Sequence, residues 1–262
     1  MSIVAEAPGF IQVFSNGTVK RFAPQTVSHS DNLSNTYKAK DVTIDPSKPI
    51  AARIFLPNTS DSATKPIPIL IYFHGGGFCI GSTTWLGYHV FLGNLSATAQ
   101  AIVLSIDYRL APENKLPIAY DDCFAALEWL SSNSEPWLQQ ADLSRVFLSG
   151  DSADGSADDV AMNDMFWKLS LPEGSDRDFY GCNFKKGETE WSLFPAVLVF
   201  VAGMDFLKER GVMYVEFLKK KGVKKVSLVE AEGESHVFHA WNPESEATYL
   251  LQKQISSFIQ SL

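Results

Sequence analysis

Short apolar runs alternate along the chain with longer segments of helical periodicity. The runs are apolar at consecutive positions, which is typical of strands covered on both faces of a sheet. They occupy residues 52–56, 68–73, 101–106, 146–148, 196–201 and 225–229. Helical patterns lie at 85–100, 118–131, 206–221 and 244–262, the last with Asn242 as its cap and Pro243 in its first turn. The alternation predicts an α/β fold with a doubly wound, mostly parallel sheet and flanking helices.

The first 40 residues follow a different pattern. Residues 10–14 and 18–22 flank Asn16-Gly17, a pair that favours a two-residue hairpin turn because both residues tolerate positive φ. The polar stretch 23–40 is predicted to be a connector. Because the length suits one large domain better than two small ones, we expect a single domain over residues 1–262.

One interval lacks a strand that the alternation requires. Between residues 153 and 194 only Val160 and Thr189 are β-branched, and no run there has the composition of a buried strand. A regular doubly wound sheet would need a helix, a strand and a further helix in this part of the chain. We therefore expect one strand of the central region to be absent.

Three chemically useful side chains each follow a predicted strand. They are Ser152, Asp205 and His236. The carboxyl ends of parallel strands share one edge of a sheet, so these residues can meet in one cleft. A serine hydroxyl needs a base to become a nucleophile, and the base needs a carboxylate to orient it. We predict these roles for Ser152, His236 and Asp205, respectively.

Each of these residues also has a plainer interpretation. Alone, Ser152 would be a turn residue and Asp205 a helix cap. His239 competes with His236 for the role of base, and we prefer His236 because it lies nearer the end of the preceding strand.

Three consecutive glycines begin at Gly75, directly after a predicted strand. Glycine backbones expose N–H groups and adopt conformations closed to other residues, so such a loop can stabilise a developing oxyanion. We expect Gly75, Gly76 and Ala153 to donate to that oxyanion and His74 to hold the loop through hydrogen bonds. The alternative is a flexible turn after a strand.

Composition narrows the possible partners and the compartment. A formal charge of −8 disfavours nucleic acid and anionic membrane surfaces. The cysteines Cys79, Cys123 and Cys182 form no CxxC pair, which argues against a disulfide framework and a zinc site and favours a reducing compartment. Neither an export signal nor a membrane span is visible, so we expect a cytoplasmic protein that takes a small molecule.

The combined motifs resemble those of the hormone-sensitive-lipase-like (HGGG) branch of α/β-hydrolases, and most closely those of plant carboxylesterases. They are His74-Gly75-Gly76-Gly77-Phe78, Asp107-Tyr108-Arg109-Leu110-Ala111-Pro112-Glu113, Gly150-Asp151-Ser152-Ala153, and Asp205 with His236. The resemblance covers nearly the entire chain. It implies cofactor-free hydrolysis of small-molecule esters through a serine acyl-enzyme. It also implies a small helical cap, of which residues 156–190 would be the remnant, and a structural role for residues 107–113.

Five aromatic residues near the glycine loop and in the cap remnant are candidates for the substrate pocket. They are Phe78, Trp85, Tyr88, Phe166 and Trp167. Core packing explains each of them equally well.

Two departures from the family pattern bear on activity. Asp154 stands where the family has glycine. At an effective dielectric constant of about 20 and a separation of roughly 5–6 Å, its charge would oppose the oxyanion by about 3 kcal/mol, on the order of a hundredfold in rate. The second departure is a break in the pattern near residues 158–163. Either the protein has lost a segment, or the sequence omits residues that the molecule contains.

Three functions follow from these observations. The first is a carboxylesterase, with activity impaired by Asp154 and the missing segment. The second is a ligand-binding protein on the same scaffold, similar to gibberellin receptors, which lack the catalytic histidine that His236 supplies here. The third is a non-hydrolytic enzyme of specialised metabolism, since one scaffold can host several chemistries.

Overall fold

The computed structural model describes residues 1–29, 34–58, 66–132, 135–152, 160–186 and 189–262. The strands are β1 Ile3–Ala7, β2 Ile11–Phe14, β3 Val19–Arg21, β4 Tyr37–Asp45, β5 Ile50–Pro57, β6 Ile67–Phe73, β7 Ile102–Asp107, β8 Ala141–Gly150, β9 Val197–Ala202 and β10 Val226–Ala231. The α-helices are α1 Leu86–Ala99, α2 Ile118–Ser132, α3 Val160–Ser170, α4 Lys208–Lys220, α5 Phe238–Trp241 and α6 Glu246–Gln260.

The sheet that carries the candidate site is divided into two pieces. Five strands have the order β4-β5-β7-β6-β8, and β9 forms a separate parallel pair with β10. Strand β6 pairs in parallel with β7 and β8, whereas β4, β5 and β7 pair antiparallel. The predicted parallel arrangement therefore holds around β6 and in the β9–β10 pair, and the other edge of the larger sheet is antiparallel.

Helices cover both faces of the larger sheet. Helices α1 and α6 pack on one face, where Phe91, Leu92 and Leu95 of α1 are buried. Helix α2 packs on the opposite face together with Trp167 of α3. A side chain at Gly93 would place its Cβ 2.1 Å from the Tyr37 ring, so glycine lets α1 approach the sheet closely.

One apolar face is open at β8. Val146 and Leu148 lie opposite Ile69 and Ile71 in the parallel register and therefore point to the same side of the sheet. The two isoleucines have no exposed surface, whereas Val146 is 38% and Leu148 61% exposed. The cover that buries this face at β6 does not extend over β8 within the part of the chain that the structure describes.

Three sequence predictions need correction. Strand β4 begins at Tyr37, inside the predicted connector 23–40. It was missed because edge strands carry charged residues, such as Lys40, that hide an apolar pattern. The cap of α6 is Ser245, whose side chain accepts from the Thr248 N–H, and not Asn242. The strand β1 was also not predicted. The hairpin of β2 and β3 is confirmed, with Gly17 at φ +85°.

Candidate active site

The candidate nucleophile lies in a strained turn directly after β8. Ser152 has φ +39°, a left-handed conformation that costs a non-glycine residue on the order of 1–2 kcal/mol. The glycine loop passes close behind it, because a Cβ built on Gly75 would lie 2.7 Å from the Ser152 Cβ. A side chain at position 75 would therefore push this turn out of place.

Ser152, His236 and Asp205 form a continuous hydrogen-bonded chain. The Ser152 Oγ lies 2.6 Å from the His236 Nε2, and the His236 Nδ1 lies 2.6 Å from the Asp205 Oδ2. Because the carboxylate can only accept, the Nδ1 carries the proton, which leaves the Nε2 to accept from the serine hydroxyl. The structure brings the three predicted residues together in the geometry that activates a serine.

The loops after β9 and β10 hold the other two members of this chain. Asp205 also accepts the Leu207 N–H through its Oδ1 at 2.8 Å, which orders the turn before α4, but the N-cap of that helix is Leu207 and not Asp205. The Met204 N–H donates to the Glu234 carbonyl at 2.9 Å and ties the two loops together. Val237, next to His236, has φ +53°, which is a rare conformation for a β-branched residue. Backbone strain thus lies on both sides of the Ser152–His236 contact.

The glycine loop contacts the nucleophile turn through its N–H groups. Those of Gly76 and Gly77 donate to the Ser152 carbonyl at 3.2 and 3.4 Å. The N–H of Gly75 donates instead to the Asp151 Oδ1 at 3.0 Å and to the Tyr88 Oη at 3.1 Å. The third predicted donor, Ala153, and the neighbouring Asp154 lie outside the described residues.

His74 and the segment 107–113 support the loop. The His74 ring is buried against Tyr108, with centroids 4.4 Å apart, and the Tyr108 hydroxyl donates to the His74 carbonyl at 2.5 Å. Asp107 accepts from the N–H and the hydroxyl of Thr83 at 2.8 and 3.0 Å. The guanidinium of Arg109 donates to both oxygens of the buried Asp122. These contacts agree with a structural role for both motifs.

A cleft of about 190 Å³ opens beside Ser152. Trp85 and Tyr88 line it as predicted, and their rings stack at 6.2 Å. The other three predicted pocket residues pack in the core instead, where their rings complete apolar clusters; they are Phe78, Phe166 and Trp167. Most of the apolar lining was not predicted from the sequence; it includes Phe10, Pro24, Ile80, Leu86, Val237, Ala240, Trp241 and Pro243.

Phe10 and Trp241 show why these lining residues could not be predicted. Phe10 precedes the first hairpin strand and Trp241 ends α5, and their rings meet at 6.1 Å. They are 231 positions apart in the sequence, counted from 10 to 241, and no local pattern links them. The one available signal was the position of Trp241 five residues after His236.

Two cysteines near the core are poor nucleophiles. Burial raises the pKa of Cys79 and of Cys123 to about 12, so both thiols stay protonated at neutral pH. Ser152, which already has a base in contact, is the better nucleophile.

Neither a membrane span nor a metal cluster is found among the described residues. No helix in these ranges combines the length and the apolar character that crossing a membrane requires. The same ranges contain no group of three or more His, Cys, Asp or Glu side chains placed to hold a metal ion.

Comparison with known proteins decides the family. A family model described as α/β-hydrolase fold matches residues 70–157 and 154–240. Tuliposide A-converting enzyme 1 of Tulipa gesneriana is 34% identical, and the match covers 98% of this chain and 78% of that enzyme. Probable carboxylesterase 6 of Arabidopsis thaliana is 33% identical over 98% of this chain and 91% of its own length. The chain is a plant carboxylesterase-like member of the α/β-hydrolase family.

Relatives of this carboxylesterase-like chain carry residues that it lacks. The alignment with the Arabidopsis thaliana protein spans 312 residues, whereas this chain has 262. The two segments of the family match meet at residues 154–157, beside the predicted break at 158–163. The solved structures agree on the fold. The Pyrobaculum calidifontis esterase has a TM-score of 0.73 at 25% identity, over 86% of this chain and 85% of that one.

Proposed function

We propose that this chain hydrolyses small-molecule carboxylic esters through an acyl-enzyme at Ser152. The hydrogen-bonded chain from Ser152 through His236 to Asp205 is the observation that carries the proposal. A ligand-binding protein needs no base in contact with a serine, so this geometry favours hydrolysis over binding alone. Membership of a carboxylesterase family points the same way.

The reaction would proceed in two half-reactions. The Ser152 Oγ attacks the ester carbonyl carbon while the His236 Nε2 takes the hydroxyl proton and Asp205 stabilises the imidazolium. The tetrahedral intermediate collapses, the C–O bond breaks, and His236 returns the proton to the leaving alcohol. Water, deprotonated by His236, then attacks the acyl-enzyme and releases the acid and the free serine.

The oxyanion of each intermediate needs N–H donors beside Ser152. We assign Gly76 and Gly77, whose N–H groups make only long bonds to the Ser152 carbonyl and can shift to a substrate oxygen. Gly75 was predicted for this role, but its N–H is held by Asp151. The family resemblance still assigns a third donor to Ala153.

The cleft favours a small, neutral ester. Among the residues that the structure describes, the lining contains no charged side chain, so in that part of the cleft neither an anionic nor a cationic group of a substrate would find a counter-ion. Its volume of about 190 Å³ is below the roughly 300–1,000 Å³ of pockets that take drug-sized ligands. A short acyl group on a small alcohol fits these limits.

Residues 1–262 would form one domain, with residues 1–40 as hairpin and connector and residues 156–190 as the cap remnant. The open face at Val146 and Leu148 supports a central region that lacks one strand and its helix. The cytoplasmic location stays a prediction, since the tulip relatives are named chloroplastic and amyloplastic.

Hydrolysis of p-nitrophenyl acetate tests the proposed function. We expect release of p-nitrophenol by the wild-type chain well above that of a Ser152→Ala control. A fluorophosphonate should add its mass to the peptide that contains Ser152 and stop the reaction. Equal rates for the wild type and the Ser152→Ala variant would refute the assignment.

Asp154→Gly is expected to raise kcat for this ester by up to about a hundredfold, because it removes a negative charge two residues after the nucleophile in the sequence, which would oppose the developing oxyanion. The KM should change little, since the ground-state ester is neutral. Steady-state kinetics at low and high salt measure the effect. Asp142→Asn at the start of β8 is the matched control, and an unchanged kcat in Asp154→Gly would show that solvent screens the charge.

A further inference from the structure

The carboxylate of Asp151 lies between the nucleophile turn and the glycine loop and accepts three hydrogen bonds. The Tyr72 hydroxyl donates to its Oδ1 at 2.7 Å, and the Tyr88 hydroxyl donates to its Oδ2 at 2.9 Å. The Gly75 N–H donates to the Oδ1 at 3.0 Å. The Asp151 side chain is only 10% exposed, so protein groups rather than water satisfy most of its oxygen lone pairs.

The groups around this carboxylate retain the protons that they donate to it. Burial, and next the charge of Asp151, raise the pKa of both Tyr72 and Tyr88 well above the usual range, so both tyrosines retain their protons. His239 lies behind Tyr72, with its Nε2 3.2 Å from the Tyr72 Oη. Burial lowers the pKa of His239 and keeps it neutral. Because the Tyr72 proton is directed to Asp151, the His239 Nε2–H is the donor in that contact.

We propose that Asp151 is a positioning residue, which sets the oxyanion loop against Ser152 by holding the Gly75 N–H. The proposal rests on the proposed esterase function of the same site. Gly75 is already as close to the turn as a residue can be, since even a Cβ there would lie 2.8 Å from the Asp151 Oδ2. The next two N–H groups are those assigned to the oxyanion, so a shift of Gly75 displaces both.

Tyr88 connects this network to the substrate cleft. Its ring lines the cleft, while its hydroxyl donates to Asp151 and accepts from the Gly75 N–H. One side chain thus fixes both a wall of the cleft and the start of the oxyanion loop. A displacement of about 1 Å at such donors can cost on the order of a hundredfold in rate, because they act only when aligned with the transition state.

Kinetics of Asp151 variants test the positioning role. We expect Asp151→Ala to lower kcat about a hundredfold with KM within about twofold of the wild type, because the oxyanion forms only in the transition state. Asp151→Asn should recover at least tenfold of this loss, since its amide oxygen still accepts the Gly75 N–H. Tyr88→Phe should fall between them, and Tyr180→Phe, an exposed tyrosine, is the matched control.

Titration with a fluorophosphonate gives the concentration of reactive active sites. Each kcat is then calculated per folded, reactive molecule. A kcat per reactive site in Asp151→Ala within threefold of the wild type would overturn the proposal. So would a loss that appears entirely in KM, or an Asp151→Asn variant as slow as Asp151→Ala.

A second measurement does not depend on hydrolysis. The chain contains five histidines, and only His74 is followed by glycine, so labelling with ¹³C′-histidine and ¹⁵N-glycine selects the Gly75 N–H alone in an NMR spectrum. We expect slow hydrogen exchange at Gly75 in the wild type and exchange at least about fiftyfold faster in Asp151→Ala, but not in Asp142→Asn. Equal protection in Asp151→Ala would refute the positioning role even in an active enzyme. Absent hydrolysis by the wild type would instead refute the proposed function.

Discussion

His236→Ala is expected to lower kcat for p-nitrophenyl acetate about a million-fold, close to the loss from removing the whole triad. The imidazole Nε2 contacts the Ser152 Oγ at 2.6 Å. Without it the hydroxyl keeps its proton, and the leaving alcohol receives none. Steady-state kinetics measure this loss, with the enzyme concentration calculated from the amount of protein.

Asp205→Asn should retain more activity, with kcat lowered about ten-thousandfold. The amide can still lie near the His236 Nδ1, but it favours the wrong tautomer of the ring. His29→Ala, at an exposed histidine far along the chain from the site, is the matched control and should leave kcat unchanged. If His236→Ala retained more than a hundredth of the wild-type kcat, another group would have to be the base.

Gly76→Ala is expected to lower the free energy of unfolding by about 3 kcal/mol and the Tm by about 10 °C, and to abolish measurable activity. A Cβ at this position would lie 2.3 Å from the carbonyl oxygen of Ile80. That oxygen belongs to the backbone, so the steric clash can be relieved only if the loop moves. Gly76 also has φ +111°, which side chains rarely adopt. Thermal unfolding followed by circular dichroism gives the stability change.

Gly17→Ala separates the two causes of this loss. Gly17 has φ +85° in the hairpin turn, but nothing lies within 4 Å of a Cβ built there. Its substitution should therefore cost only the conformational strain, about 1 kcal/mol, with kcat unchanged. Equal destabilisation by Gly17→Ala and Gly76→Ala would show that a small movement of the loop removes the clash between the new Cβ at position 76 and the Ile80 carbonyl oxygen.

Local patterns were sufficient for the strands and helices that hold the site. The apolar runs ending at Phe73, at Leu148 and at Val201 all coincide with strands, although β8, at Ala141–Gly150, is much longer than its run at 146–148. Strand β6 is buried on both faces, so continuous apolarity was a sound signal there, whereas Val146 and Leu148 of β8 lie on the open face. The charged edge strand β4 gave no such signal, since solvent rather than the core sets its composition.

The three residues of the candidate triad could be predicted from the sequence, but the walls of the cleft around them could not. Ser152, Asp205 and His236 could be chosen from the sequence because each follows a predicted strand, and the carboxyl ends of parallel strands lie at one edge of a sheet. The cleft walls were different. Phe78, Phe166 and Trp167 are as aromatic as Trp85, yet only packing directs them into the core.

The amino-acid order alone indicated the family through its combined motifs, and it predicted the main strands and the candidate triad, because apolar periodicity and tight turns after strands are local features of the sequence. The folded chain was needed to show that the Gly75 N–H belongs to Asp151, that Phe10 meets Trp241, and that one face of β8 is open. These facts join residues far apart in the sequence. They depend on how side chains share space and hydrogen bonds in three dimensions, which no pattern of neighbouring residues encodes.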